Sequence, residues 1–111
     1  MAVAEHESGS QTATIGTEHF LGTDNDGTDA FFQYLIDVSA MAFNDILEIR
    51  LYEKTRAADS VQEIHVWRLK HAQTNKQWVS PGIIFLHNRR ASIKQTAGTG
   101  RAFPWSSRKV T

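Results

Sequence analysis

Two stretches of this chain alternate apolar and polar residues with a period of two, which confines it to a β fold. In residues 29–38, Phe32, Tyr34, Ile36 and Val38 fall on one side and Gln33 and Asp37 on the other. In residues 46–53, Leu47, Ile49 and Leu51 fall on one side, with Glu48, Arg50 and Tyr52 opposite. Successive side chains of a strand point to opposite faces, so each stretch offers one face to a core and one to solvent. Residues 39–56 also hold helix formers, Met41, Ala42, Ile46 and Leu47 among them. A helix there would place Arg50 and Lys54 on the same stripe as Phe43 and Leu47, so the alternation takes precedence. Residues 40–44 are left as a loop or a single helical turn.

Further strand-like runs at residues 14–21, 61–71, 83–87, 91–97 and 102–110 are separated by turn signals. These are Asn25-Asp26-Gly27, residues 54–60, Asn75, Pro81-Gly82, residues 88–90 and Gly98-Thr99-Gly100. The run at 61–71 has two mixed faces, Ile64 and Val66 against Trp67 and Leu69, which implies a bulge or an interface on its outer face. The run at 83–87 is apolar on both faces and reads as a central strand. The pattern predicts an all-β chain: a compact antiparallel β-sandwich or jelly roll of seven to eight strands. With 111 residues it forms one domain, residues 14–111. Residues 1–13 carry only Met1 and Val3 as large apolar side chains and are expected to form an extended N-terminal arm lying on a neighbouring subunit. The expected core is Phe32, Tyr34, Ile36, Leu47, Ile49, Leu51, Ile84 or Phe85, and Trp105.

Charge is sorted along the chain. Residues 1–49 contain nine Asp/Glu and no Lys/Arg, and residues 64–111 contain nine Lys/Arg and no Asp/Glu. Either the halves pair inside one fold, or they present opposite faces to neighbouring subunits. Both point to an assembly or binding protein. With no cysteine there is no disulfide, thiolate metal site or thiol nucleophile. The longest apolar run, residues 83–86, is too short to span a bilayer, and the first residues lack the apolar segment of a signal peptide. Asp24, Asp26 and Asp29 around Gly27 form the densest carboxylate cluster, but the EF-hand pattern fails at Thr28 and Leu35. His6, His19, His65, His71 and His87 show no metal-site spacing. Ser106 and Ser107 lack a nucleophile elbow, and no Gly-rich loop opens a helix, so no catalytic residue, metal or cofactor is expected. Basic residues interleave with Trp78, Phe103 and Trp105, yet the acidic half would repel a polyanion, which argues against direct nucleic-acid binding.

The stretches Thr12-Ala13-Thr14-Ile15-Gly16-Thr17-Glu18, Ile36-Asp37-Val38 through Glu48-Ile49-Arg50-Leu51-Tyr52-Glu53-Lys54, and Trp78-Val79-Ser80-Pro81 carry a resemblance. It continues through Lys94-Gln95-Thr96-Ala97-Gly98-Thr99 to Trp105-Ser106 and Arg108-Lys109-Val110. Together these resemble small virion proteins of tailed bacteriophages. The resemblance implies a non-enzymatic structural role in the particle: a capsid decoration or cement protein on the capsid surface, bridging subunits of the major capsid protein as a homo-oligomer. Tyr52, Trp67, Arg89, Arg90 and Arg101 are the expected subunit or capsid contacts. The alternatives are a tail or head–tail connector component, or a ligand-binding β-sandwich module using Tyr52 or Trp67 as an exposed platform.

Overall fold

The computed structural model describes residues 2–22 and 29–110. Nine strands form: β1 (Val3–Thr12), β2 (Glu18–Phe20), β3 (Ala30–Asp37), β4 (Ile46–Glu53), β5 (Gln62–Lys70), β6 (Gln77–Val79), β7 (Ile83–Phe85), β8 (Arg90–Ala97) and β9 (Ala102–Val110). They make two antiparallel sheets. One has the order β1-β9-β3, with β6 and β7 both along the far edge of β3; the other has the order β2-β8-β4-β5. No helix forms among the described residues, so none is long enough and apolar enough to cross a membrane.

Strands β6 and β7 are two halves of one interrupted edge strand. The first pairs with Leu35–Asp37 and the second with Ala30–Phe32. Between them Pro81 has no N–H to donate to a ladder. Ser80 bridges the gap: its N–H donates to the Tyr34 carbonyl at 2.9 Å, and its Oγ accepts the Tyr34 N–H at 2.9 Å. Counted as one strand, they give the order 1-8-3-6 in one sheet and 2-7-4-5 in the other, the jelly-roll arrangement of a long hairpin folded onto itself.

The alternation of β3 and β4 is realised as read. Phe32, Tyr34, Ile36 and Val38 face Leu47, Ile49 and Leu51 across the sandwich interior, with Phe85, Ile93 and Phe103 completing the core. Trp67, Trp78 and Trp105 pack around its margin. At the corner before β4, Asp45 is buried, and its carboxylate accepts the N–H groups of Ala42 (2.9 Å) and Thr99 (3.1 Å) and the Arg101 Nε (2.8 Å). Burial pushes this carboxyl up, but those hydrogen bonds outweigh it and hold the group below its usual range. Gly98, at φ 90°, has no room for a Cβ, which would stand 2.0 Å from Asp45 Oδ1.

Three expectations change. Residues 3–12 are not an arm on another subunit: they form β1, paired antiparallel with β9 from Val3↔Val110 to Thr12↔Ala102. Ladder hydrogen bonds come from the backbone, so a segment poor in apolar side chains can still join its own sheet. Gly9 assists, because Trp105 lies close enough that a Cβ there would sit 3.3 Å from the indole. The run at 83–87 is not a central strand. Its three-residue β7 pairs with β3 alone, so Phe85 points into the core while Ile84 is 76% exposed. The first run narrows to β2, Glu18–Phe20. The ambiguity of residues 61–71 resolves as a bulge: Leu51 pairs with His65 and Tyr52 with Glu63, leaving Ile64 unpaired.

The folded-hairpin topology also accounts for the sorted charges. Every ladder among the described residues joins one of β1–β4 to one of β5–β9. Strands of the acidic half thus never lie beside one another, and each borders strands of the basic half. Segregation along the sequence becomes alternation across each sheet, and the halves pair within one fold.

Candidate docking face

The two outer faces of the sandwich differ in chemistry. On the β2-β8-β4-β5 sheet, the paired residues Glu18, Lys94, Glu48 and Arg68 form one row of alternating sign across all four strands. Glu48 is buried beneath this layer and accepts Arg50 Nη2 at 2.7 Å and Arg68 Nε at 3.2 Å. The Arg68 hydrogen bonds, followed by attraction to Arg50, hold the Glu48 carboxyl below its usual range against the opposing effect of burial. Arg50 Nε also lies 2.9 Å from Glu63 Oε1. Beside the row, the Tyr52 hydroxyl donates to Glu18 Oε2 at 2.6 Å, and Ser92 Oγ donates to the same oxygen. Burial and the Glu18 carboxylate push the Tyr52 phenol up to about 12. The charges of this face are paired among its own side chains, and Val66, opposite Arg50 on the next outward rung, is exposed beside them.

The outer face of the other sheet carries an apolar row in register: Val3 opposite Val110, Val110 opposite Phe31, and Phe31 opposite Ile84. Val3 is 65% exposed and Phe31 44%. Exposed Leu86 follows β7, and a carboxylate oxygen of Glu53 accepts the N–H groups of Leu86 and His87, the latter at 2.7 Å. Gly82 is required beneath the row, since a Cβ there would stand 2.3 Å from the Phe31 ring. A groove of about 390 Å³ runs between Val3, Phe31, Gly82, Arg108 and Val110. The pair Glu5 and Arg108 borders the row on the next rung. Contiguous exposed apolar surface of this kind marks interaction sites in folded domains.

The five contacts expected from sequence lie elsewhere. Arg89 is a correction: its side chain is 2% exposed, with the guanidinium 3.7 Å from the Phe32 ring centroid and Nε donating to the Tyr34 hydroxyl at 2.8 Å. Its Nη2 lies 3.9 Å from Glu7 Oε1, so Arg89 ties β1 to β3 and cannot reach another molecule. An arginine can be buried in this way because an ion pair, a hydrogen bond and an aromatic face replace its hydration. Arg101 is committed to Asp45. Arg90 lies over the Phe20 ring at 5.1 Å, and Tyr52 is tied to Glu18. Trp67 is half-buried, edge-on to Trp78 at 5.0 Å and stacked on His65 at 5.3 Å. The row residues left a trace in the sequence: Phe31 beside Phe32, and Ile84 within a run apolar on both faces. Pairing partners were needed to show that these positions share one outer face.

Asp24 and Asp26 lie outside the described residues. Among the described residues no three His, Asp or Glu side chains gather to hold a metal ion. Compared with protein-family models, curated proteins and solved structures, the chain matches none.

Proposed function

We propose that this chain is a non-enzymatic virion structural protein, a decoration or cement protein on the capsid surface that seats the Val3–Val110–Phe31–Ile84 row against the major capsid protein. The observation that carries the reading is that row: four apolar residues in register on the outer face of one sheet of a jelly roll. The other outer face satisfies its charges internally. The row is the stretch of exposed apolar residues aligned in register across four strands, and for that reason we assign the contact to it. The resemblance to small proteins of tailed-phage particles supplies the partner. On a lattice, many modest apolar contacts, strengthened by homo-oligomerisation, add through avidity.

The test is reconstitution of capsids lacking the protein with labelled wild type and with the double variant Phe31→Ser/Ile84→Ser. Wild type should bind saturably, at a fixed ratio to capsid protein, and stay bound in about 1 M salt, where the screening length falls to about 3 Å. The double variant should fold and fail to bind. Equal binding by the double variant, or absence of the protein from purified virions, refutes the reading. Rings of fixed order that bind portals or tails instead of capsid shells would assign it to the connector.

A further inference from the structure

The sheet edges are guarded unequally against pairing with another chain. An edge strand exposes a row of unpaired N–H and C=O groups, which folded proteins protect with short strands, proline, charge or a bulge. Strand β2 is three residues long, and the edge made by β6 and β7 is two three-residue pieces with Pro81 between them. Strand β5 carries Glu63, Arg68 and Lys70 and bulges at Ile64. Strand β1 bulges between Glu5 and Glu7, but from Ser8 to Thr12 it runs in unbroken register with β9 and has neither charge nor proline. Ser8, Gly9, Ser10 and Thr12 are exposed. Beyond its ladder with β9, the backbone of this segment takes one hydrogen bond among the described residues, from Gln11 Nε2 to the Thr12 carbonyl at 3.0 Å.

The segment is complementary to a second copy of itself. Antiparallel pairing about a two-fold axis at Ser10 sets Ser8 opposite Thr12 and Gly9 opposite Gln11. Residues that share a rung must point to the same side of a sheet, and these do. Ser8, Ser10 and Thr12 stand beside Ser106, Pro104 and Ala102 on the outer face, whereas Gly9 and Gln11 stand beside Trp105 and the buried Phe103. Hydroxyls then meet hydroxyls across the axis, a stabilising cross-strand pair. Glu5 and Glu7 fall beyond this short ladder, so no carboxylate of one copy opposes a carboxylate of the other.

We propose that the Ser8–Thr12 edge of β1 is a homodimer interface, joining two copies through one continuous sheet. The interface does not depend on a capsid, but it bears on how one would be met. Its axis is perpendicular to the shared sheet, so the outer faces of both copies turn to the same side. The two Val3–Ile84 rows then lie on one face. Seven steps from Val3 to Ser10 in each copy, at about 3.3 Å per step, set them roughly 45 Å apart along the strands. A dimer of that shape grips a surface at two points, which strengthens attachment through avidity.

The test uses the full chain in solution. Sedimentation between about 10 μM and about 1 mM should show monomer passing to dimer. Ser10→Lys and Ser10→Asp each set like charges against each other at the axis, and each should weaken dimerisation about tenfold or more with an unchanged circular dichroism spectrum. Mixed in equal amounts, the two variants should recover a dimer containing one of each. The chain has no cysteine, so Ser10→Cys should form a disulfide dimer under mild oxidation, whereas Val79→Cys on β6 should not. Phe31→Ser/Ile84→Ser should dimerise as wild type does, which separates this outcome from that of the row. A monomer at about 1 mM overturns the proposal. So does a dimer that both charge variants leave intact, or a mixture of them that stays monomeric. Loss of the dimer in Phe31→Ser/Ile84→Ser would place the interface on the row and overturn it as well.

Discussion

On the outer face of the β2-β8-β4-β5 sheet each strand contributes one charge to a single row, whereas across the opposite sheet the corresponding kind of row is Val3, Val110, Phe31 and Ile84. Both rows arise from the same two-residue alternation over the same core. The charged row spends its interactions inside the molecule, where Glu48 is buried under two arginines. The apolar row leaves its contact surface open. The contrast separates stability from attachment: substitutions on the first face should unfold the protein, and substitutions on the second should leave it folded but unattached.

The sharpest way to break this contrast is Glu48→Lys. It removes the acceptor of two arginines and sets a like charge between Lys94 and Arg68, and should cost about 3–5 kcal/mol, as breaking a buried pair does. A urea-unfolding loss below about 1 kcal/mol would reduce the row to ordinary exposed pairs. Ile49→Ala, on the same strand but pointing inward, calibrates the core at about 2–5 kcal/mol through lost transfer energy plus a cavity.

Acid should act on the charged side and its Asp45 corner. Both carboxyls are held below their usual range, so the unfolded chain binds protons more readily than the folded one. Their contribution is therefore complete above about pH 5, where unfolded carboxyls are ionised, and is lost as pH falls through the lowered folded values. Urea midpoints should be nearly equal at pH 7 and 5 and fall clearly at pH 3, and Glu48→Gln should flatten that decline. At the alkaline end the sign reverses. Tyr52 titrates near 12 in the fold, so its contribution is present below about pH 10 and is lost as pH rises toward that value. Tyr52→Phe should remove the late phenolate absorbance step and cost about 1 kcal/mol. The smallest effect is expected for Ile84→Ser on the apolar row, within about 0.5 kcal/mol of wild type. A larger loss would show the row to be part of the fold's own stability.

Much of the sandwich was legible because alternation is a local property. The strands over residues 46–53 and 102–110 have the predicted bounds, and Phe32, Tyr34, Leu47, Ile49 and Leu51 are buried as expected. What local pattern could not supply was neighbours. An apolar run such as residues 83–87 looks the same in the middle of a sheet and at its edge, and only pairing to β3 alone decides that Ile84 faces outward. Arg89 was misplaced for a related reason: a guanidinium is assigned to the surface unless its partners are known, and Phe32, Tyr34 and Glu7 come from distant positions in the chain. The sorted charges were visible from the start. Their meaning required the folded-hairpin order, in which early strands meet only late ones.

That order has a consequence for how the molecule is made. Among the described residues, strands β1–β4 have no ladder to form with one another, so each meets its partners only after later strands have been made. The first native ladder open to this half is therefore the hairpin that β5 makes with β4. We expect the β1–β9 ladder, which joins the strands most distant in sequence, to form late. Ribosome-stalled chains of increasing length should show no strand protection against hydrogen exchange until β5 has cleared the exit tunnel. The fold is thus one of long-range contacts whose first half has its native partners only in the second half.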